Sequence, residues 1–447
     1  MASLPAEKTS GVFSDYSLAG KGLPTSFPAQ RSTGLPPKIT WLFNFDAGWG
    51  TFGFANSLYD NPREGVNEAL SDQWFEGFVK PALSGAHTFA STSQLYGKVG
   101  AVGARTYGSS PPVFGFDSSS FGVDEAHIGW RSGRSIGSHE NLLDVTVGRA
   151  EYALGHGMLL HDGAADGGSR GAYWSNARKA FAFAAIGRVR PGPHLAEVFY
   201  LDKDDLPERE TGTRLWGANY EFAMGEDTTL GASYMRFFAD PGVLPARDGL
   251  HVFNVRVYAA PLPQAPDLSI ELEYASERNG EARHSNAWNG KAAYRFSSSG
   301  WTPELSYRYA WFQGDDPDTA VDEAFDPLLA GFDDWGTWWQ GEIAGEYFLA
   351  NSNLVSHQVR VHVDPREWIA GGLIAYAFQA DQPRAFGPGV TSRNIAFELD
   401  MYVDWILNSN VTVSFVGAFA DPGAAVQQAT GRTKNFAYGM VYVGYSF

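Results

Sequence analysis

Residues Phe436–Phe447 read Phe-Ala-Tyr-Gly-Met-Val-Tyr-Val-Gly-Tyr-Ser-Phe, which places Val441, Val443, Tyr445 and Phe447 on one face of an extended strand. Side-chain direction repeats every second residue in a strand, so these four form one continuous apolar strip. A greasy strand left at a sheet edge pairs with other chains, and closing the sheet into a barrel removes that edge. The final strand therefore asks whether the rest of the chain supplies partners of the same kind.

It does. Ile39, Trp41, Phe43, Phe45, Ala47 and Trp49 alternate with Thr40, Asn44, Asp46 and Gly48. The texture returns at Leu143, Val145, Val147; Trp216, Ala218, Tyr220, Phe222; Phe253, Val255, Val257; Leu268, Ile270, Leu272, Tyr274; Trp288, Ala292, Tyr294, Phe296; and Leu305, Tyr307, Tyr309, Trp311. No segment holds a helical period over several turns, and no run of about 18 apolar residues offers a spanning helix. Barrel strands alternate apolar and polar residues and so average out, which reconciles a mean hydropathy of −0.24 with membrane residence. The last strand is similar to the terminal signal of outer-membrane barrels.

Connector lengths carry the topology. Short ones are 224–227, 261–266, 298–300, 364–367 and 408–410; long ones are 50–72, 108–120, 152–178, 203–212, 239–248, 277–286, 312–352, 380–393 and 421–434. Short periplasmic turns alternating with long extracellular loops characterise outer-membrane barrels. With both chain ends in the periplasm the strand number must be even. Trp338 to Leu349 looks strand-like and would make nineteen, so 312–352 is assigned wholly to one external loop. The expectation is an all-β fold: a single antiparallel transmembrane β-barrel of about 18 strands over residues 39–447, preceded by a flexible lead-in, 1–38. The expected location is the bacterial outer membrane, as a monomeric barrel surrounded by lipid.

Composition excludes several functions. A net charge of −17, from 33 Lys and Arg against 50 Asp and Glu, argues against a nucleic-acid partner. The absence of cysteine removes disulfides, thiolate nucleophiles and Cys-ligated metals. No G-x-S-x-G, H-E-x-x-H or P-loop occurs, and His127 beside Glu125 on an inner face is the one pair with a base's chemistry. A single His and carboxylate on a strand is ordinarily structural. No catalytic residue, resident metal or cofactor is expected.

If the apolar face of each strand meets lipid, parity sends the opposite residues to the lumen. Those are Asp46, Glu76, Lys80, Lys98, Glu125, His127, Arg131, Asp144, Glu197, Glu221, Arg236, Arg256, Glu271, Glu273, Lys291, Arg295, Glu304, Arg308, Arg360, Glu398, Asp400 and Asp404. A mid-plane Arg or Lys on the lipid side costs about 2–4 kcal/mol, which disfavours the reverse assignment. Arg236, Arg256, Lys291, Arg295, Arg308 and Arg360 fall on consecutive strands, whereas Asp46, Glu76, Glu398, Asp400 and Asp404 lie where the barrel closes. One reading is a polarised pore, a basic wall guiding an anionic solute past carboxylates that order the arginines. The other is a ladder of ion pairs that only stabilises the wall.

Two loops stand out. Gly148 to Lys179 is rich in glycine and carries His156, His161, Asp162 and Asp166, which read better as a loop network than as a metal site. Asp315 to Asp334 holds eight acids and no base. Its spacing fits no EF-hand, so calcium is a weak alternative to a solvated charge run.

At these loops the sequence resembles the alginate export family. The matching features are Gly148-Arg149, the following Gly155-His-Gly157-Met-Leu-Leu, Phe325-Asp326-Pro327-Leu328-Leu329, and Asn351-Ser-Asn353-Leu354. The resemblance implies an eighteen-stranded barrel exporting an acidic exopolysaccharide, with a periplasmic repeat-protein scaffold as partner. It also implies a strongly basic pore, whereas twelve acids face nine bases here. Arg149, Arg131, Arg236, Arg256, Lys291, Arg295, Arg308 and Arg360 are the candidate anion contacts. A substrate-selective porin for small solutes is the runner-up. Inward folding of the loops 152–178 and 312–352 as a fixed constriction, rather than as a gate over a polymer-wide tunnel, would favour it.

Overall fold

The computed structural model describes residues 38–57, 71–108, 117–137, 139–225, 227–260, 264–331 and 340–447. The expected lead-in, save Lys38, and the acids Asp333 and Asp334 lie outside the described residues.

Eighteen strands follow one another: β1 Lys38–Ala55, β2 Ser71–Thr88, β3 Gln94–Gly108, β4 Ser118–Arg131, β5 Leu143–Arg149, β6 Phe183–Val189, β7 His194–Asp202, β8 Arg214–Ala223, β9 Thr228–Phe238, β10 His251–Ala259, β11 Leu268–Asn279, β12 Arg283–Arg295, β13 Glu304–Phe312, β14 Leu354–Arg366, β15 Ile369–Ala380, β16 Asn394–Asn408, β17 Val411–Pro422 and β18 Phe436–Ser446. Each pairs antiparallel with its chain neighbours, and β1 pairs with both β2 and β18, so the sheet closes on itself. The seam register sets Ala47 opposite Tyr445 and Trp49 opposite Val443, with Phe45 and Phe447 exchanging both backbone hydrogen bonds at the periplasmic end. The terminal segment that implied a barrel is thus the strand that shuts it.

The alternating residues read as lipid-facing are exposed on the barrel exterior: Ile39, Trp41, Trp49, Val145, Val147, Phe253, Val255, Leu272 and Tyr307 among them. Burying such a belt in lipid contributes roughly 25 cal/mol per Å² of apolar surface. Inside, Phe52, Phe237, Phe312, Phe378 and Phe436 are wholly buried. An apolar interior on the extracellular half requires something to fill it. Gly48 marks the tightest point of the seam, because a Cβ there would lie 1.8 Å from the Tyr442 hydroxyl and 2.7 Å from Phe78.

Three connector expectations need correction. Residues 277–286 are not a long loop, since β11 runs to Asn279 and β12 begins at Arg283; these strand ends read like loop because their residues are polar on both faces. The connector expected at 50–72 is shorter, with Gly50–Ala55 continuing β1 and Ser71 opening β2. Likewise Gly108 belongs to β3 and Ser118–Ser120 to β4. The strand-like stretch ending at Leu349 does lie in the loop between β13 and β14, where Gly341–Phe348 winds as a π-helical turn. One short α-helix, α1 Ala424–Thr430, sits between β17 and β18.

Candidate functional site

The loop between β5 and β6 turns into the barrel rather than away from it. Glu76 on β2, buried on the inner wall, accepts the backbone N–H groups of Trp174 and Ser175 at 3.0 and 3.1 Å. The Trp174 ring then packs against Phe52 and Tyr442, each centroid 5.1 Å away, across the seam. At its other end the loop crosses to the opposite wall. Tyr258 on β10 accepts the His156 backbone N–H on its phenolic oxygen at 3.2 Å, the His156 ring stacks on the Tyr258 ring at 4.1 Å, and His156 Nδ1 lies 3.3 Å from Glu271 on β11.

The loop between β13 and β14 is held in the same manner. Glu398 on β16 accepts the N–H groups of Ile343 and Ala344, both at 2.8 Å, and Asp400 accepts that of Glu342 at 3.1 Å. Carboxylates at a helix start satisfy amides that have no partner within the helix. Gly341, at φ 95°, makes the approach possible, because a Cβ would stand 2.5 Å from a Glu398 oxygen. Tyr347 fills the space beyond, against Trp74, Tyr438 and Phe436.

The two loops then join each other. Leu160 pairs with Leu329 as a parallel bridge, His161 N–H donates to the Leu329 carbonyl at 2.8 Å, and Gly331 N–H donates to Gly157 at 3.0 Å. Tyr173 donates its hydroxyl to the Glu346 carbonyl at 3.1 Å. Met158, Leu159, Leu160, Phe325 and Ile343 are completely shielded from solvent. The apolar filling of the upper barrel is therefore loop.

Charges complete the first loop. Lys179 reaches Asp162 at 2.5 Å with His161 at 3.0 Å, and Arg178 pairs with Asp166. Burial pushes the Asp162 carboxyl up, but Lys179 and His161 outweigh it and hold the group below the usual carboxylate range. For Asp166 burial prevails over Arg178 and the value rises to about 6. The signs follow from linkage. Asp162 supports the seated loop above its unfolded value and loses that support as pH falls through its folded value; Asp166 does so below its unfolded value and loses it as pH rises through about 6. Loop seating should be firmest near pH 4 and weaken as pH rises towards 6. Hydrogen exchange across residues 150–182 at pH 5 and pH 8 should show slower exchange, after correction for the intrinsic rate, at the lower value.

The candidate cations separate into four groups. Arg131, Lys291, Arg295 and Arg360 face the lumen: Arg131 pairs with Asp144 at 2.9 Å, Lys291 with Glu271 at 3.3 Å and Arg295 with Asp364 at 2.9 Å, while Arg360 donates to Tyr402 Oη at 2.7 Å. Arg256 and Arg308 also point inward but are buried. Arg256 bonds Ser233, Asn254, Asn219 and Glu221, and Arg308 bonds Asn289, which makes both wall supports. Arg149 shares Asp204 with Arg170, tying β5 to the following loops. Arg236 is a correction: Met235 and Phe237 are the buried neighbours on β9, so Arg236 stands on the outer face with its guanidinium 5.2 Å from the Phe238 ring.

The acidic set is placed where parity put it but does other work. Glu76, Glu398 and Asp400 grip loop amides instead of ordering arginines. Asp46 accepts from Ser446 Oγ at 2.6 Å and Asp404 from Ser414 Oγ at 2.5 Å. Glu125 pairs with Lys98 at 2.5 Å, and His127 Nδ1 lies 3.8 Å from it. The external acidic loop is more paired than expected: Asp318, Asp322 and Asp326 pair with Arg384, Arg283 and Arg247, the first of these pairs exposed and the last shielded.

Sequence reasoning missed three things. Arg188 and Arg190, at the periplasmic end of β6, join Arg131 around Asp144 and Glu197; alternation from Ala184 through Ile186 would have found them. A bulge in β4 sends both Asp124 and Glu125 inward. Glu151 joins that pair to make three carboxylates within 4.8 Å, with Lys80 2.8 Å from Asp124. The grips that hold the loops inside had no signal, because they fall on main-chain atoms.

A family model described as alginate export matches residues 115–440. No curated protein matches the chain. Among solved structures the barrel is similar to Pseudomonas aeruginosa OccK2 (OpdF), at 12% identity and TM-score 0.58 over 91% of this chain and 97% of that one. The OccK2 (OpdF) complex with glucuronate matches at 12% identity and TM-score 0.56, over 91% and 96%. Pseudomonas aeruginosa OccK5 (OpdH) matches at 12% and 0.56, over 91% and 98%. At these identities the likeness speaks for the fold.

Proposed function

Taking as premise that the chain belongs to the alginate export family and is a channel of the bacterial outer membrane, we propose that it conducts short acidic saccharides past a fixed constriction. The observation that carries this reading is the joining of the two inward loops at Leu160 and Leu329, with both anchored to wall carboxylates. A polymer-wide tunnel would require both loops to leave together, breaking five backbone-to-carboxylate hydrogen bonds. Below the loops the solute meets Arg131, Arg188, Arg190, Arg295 and Arg360, of which Arg190 and Arg295 are the most open. Weak repeated contacts of this kind admit an anion without trapping it.

Export of a whole acidic exopolysaccharide, with a periplasmic repeat-protein scaffold, is the second reading, favoured by the family itself. Single-channel current across a salt gradient separates them when a uronate disaccharide and a polyuronate are added in turn. Anion preference with block by the disaccharide supports the constricted channel. Block by the polymer alone supports export, and cation preference with no block removes acidic saccharides as the substrate class. The double variant Arg190→Glu with Arg295→Glu should lower the anion-to-cation permeability ratio several-fold. Arg308→Gln, which alters a shielded side chain, should leave that ratio nearly unchanged.

A further inference from the structure

The outer face carries a second ordered charge feature that the pore does not use. On β9 to β12, Arg236 stands directly opposite His251, His251 opposite Arg278, and Arg278 opposite His284. All four are on the exterior, as their exposed same-face neighbours Tyr274 and Phe253 show. All lie within three residues of the extracellular end of their strand. Arginine is costly against hydrocarbon and tolerated at the interface, so this row marks the depth of the external headgroups.

The row is cationic and lacks internal neutralisation. Arg278 donates to the Glu277 and Ser285 carbonyls and to Asn286 Oδ1, none of them charged. Arg236 rests on Phe238, and its shielded Nε–H has no acceptor among the described residues. Neither arginine has a carboxylate within ion-pair distance among the described residues. Strand spacing of about 4.8 Å spreads the row over roughly 14 Å, enough for more than one phosphate. Directly beneath it Phe253, Tyr274 and Trp288 offer an apolar and aromatic surface suited to acyl chains.

We propose that the Arg236–His251–Arg278–His284 row binds the phosphorylated glycolipid of the external leaflet, taking its phosphates on the guanidinium and imidazole groups and its acyl chains on the aromatics below. Arg–phosphate pairing is charge-assisted and strong where water is scarce, as at a lipid boundary. The function is lateral: it fixes the barrel's extracellular end within an anionic lipid shell, whatever the pore conducts.

The full-length barrel in non-ionic detergent would be titrated with diphosphorylated lipid A and with the same lipid dephosphorylated, and bound lipid read by native mass spectrometry. Wild-type protein should retain the diphosphorylated form at least tenfold better, and Arg236→Gln with Arg278→Gln should lose that preference while keeping heat-modifiable migration. Equal retention of the two lipids by wild-type protein, a comparison that needs no variant, would overturn the proposal. So would a preference undiminished in a folded double variant.

Discussion

Replacing Glu398 and Asp400 together by alanine should raise single-channel conductance several-fold and expose residues 340–350 to protease. These two side chains accept three backbone N–H groups of the π-helical turn. A hydrogen bond to a charged group contributes roughly 1.5–3 kcal/mol net, so the turn loses several kcal/mol of seating. Part of that is offset, because the variant also removes two acidic groups buried side by side, whose charged forms are costly there. Glu398→Gln, which keeps an acceptor, should lie between wild type and the double variant. Unchanged conductance would mean that Tyr347 against Trp74 and Tyr438 holds the turn unaided.

The second large effect is expected at the seam. Gly48→Ala should abolish the heat-stable barrel or lower its unfolding midpoint sharply, read as loss of heat-modifiable migration after refolding. The new methyl would fall 1.8 Å from the Tyr442 hydroxyl and 2.7 Å from its ring carbon and from Phe78. Tyr442 is fully buried and packed on Trp174, so it has no vacant rotamer to retreat into. Overpacking of this kind costs about 1–3 kcal/mol or more, and here the displaced ring also pushes on the loop that Glu76 holds. Combining Gly48→Ala with Tyr442→Leu should restore part of the stability. A fully stable Gly48→Ala single variant would show that the seam yields.

Fold was legible because lipid imposes a period that nothing else in the chain contradicts. From Ile39 to Trp49 every odd residue is apolar, Leu42 being the one apolar residue between them, Val441 to Phe447 repeats the pattern, and even parity resolved the one doubtful segment. Legibility failed where both faces of a strand are apolar. Tyr234-Met-Arg-Phe-Phe238 offers grease on either side, because the inner face packs on loop instead of water, and Arg236 was sent the wrong way. It failed again at the β4 bulge, where one extra residue shifts parity without changing composition. The candidate site was half legible: Glu76, Glu398 and Asp400 were correctly placed inside, but their partners are main-chain amides, which no sequence pattern displays.

That mode of attachment leaves the loops unusually free to change. A carboxylate that grips an amide is indifferent to the side chain attached to it, proline excepted. Trp174, Ser175, Ile343 and Ala344 are themselves buried, so the freedom falls to their partly exposed neighbours, Tyr173, Asn176 and Glu346, where substitutions can be tried by evolution, or by design, against a scaffold that keeps the backbone in place. New solute preferences can arise in this barrel one side chain at a time, without first inventing a new way to hold the loop.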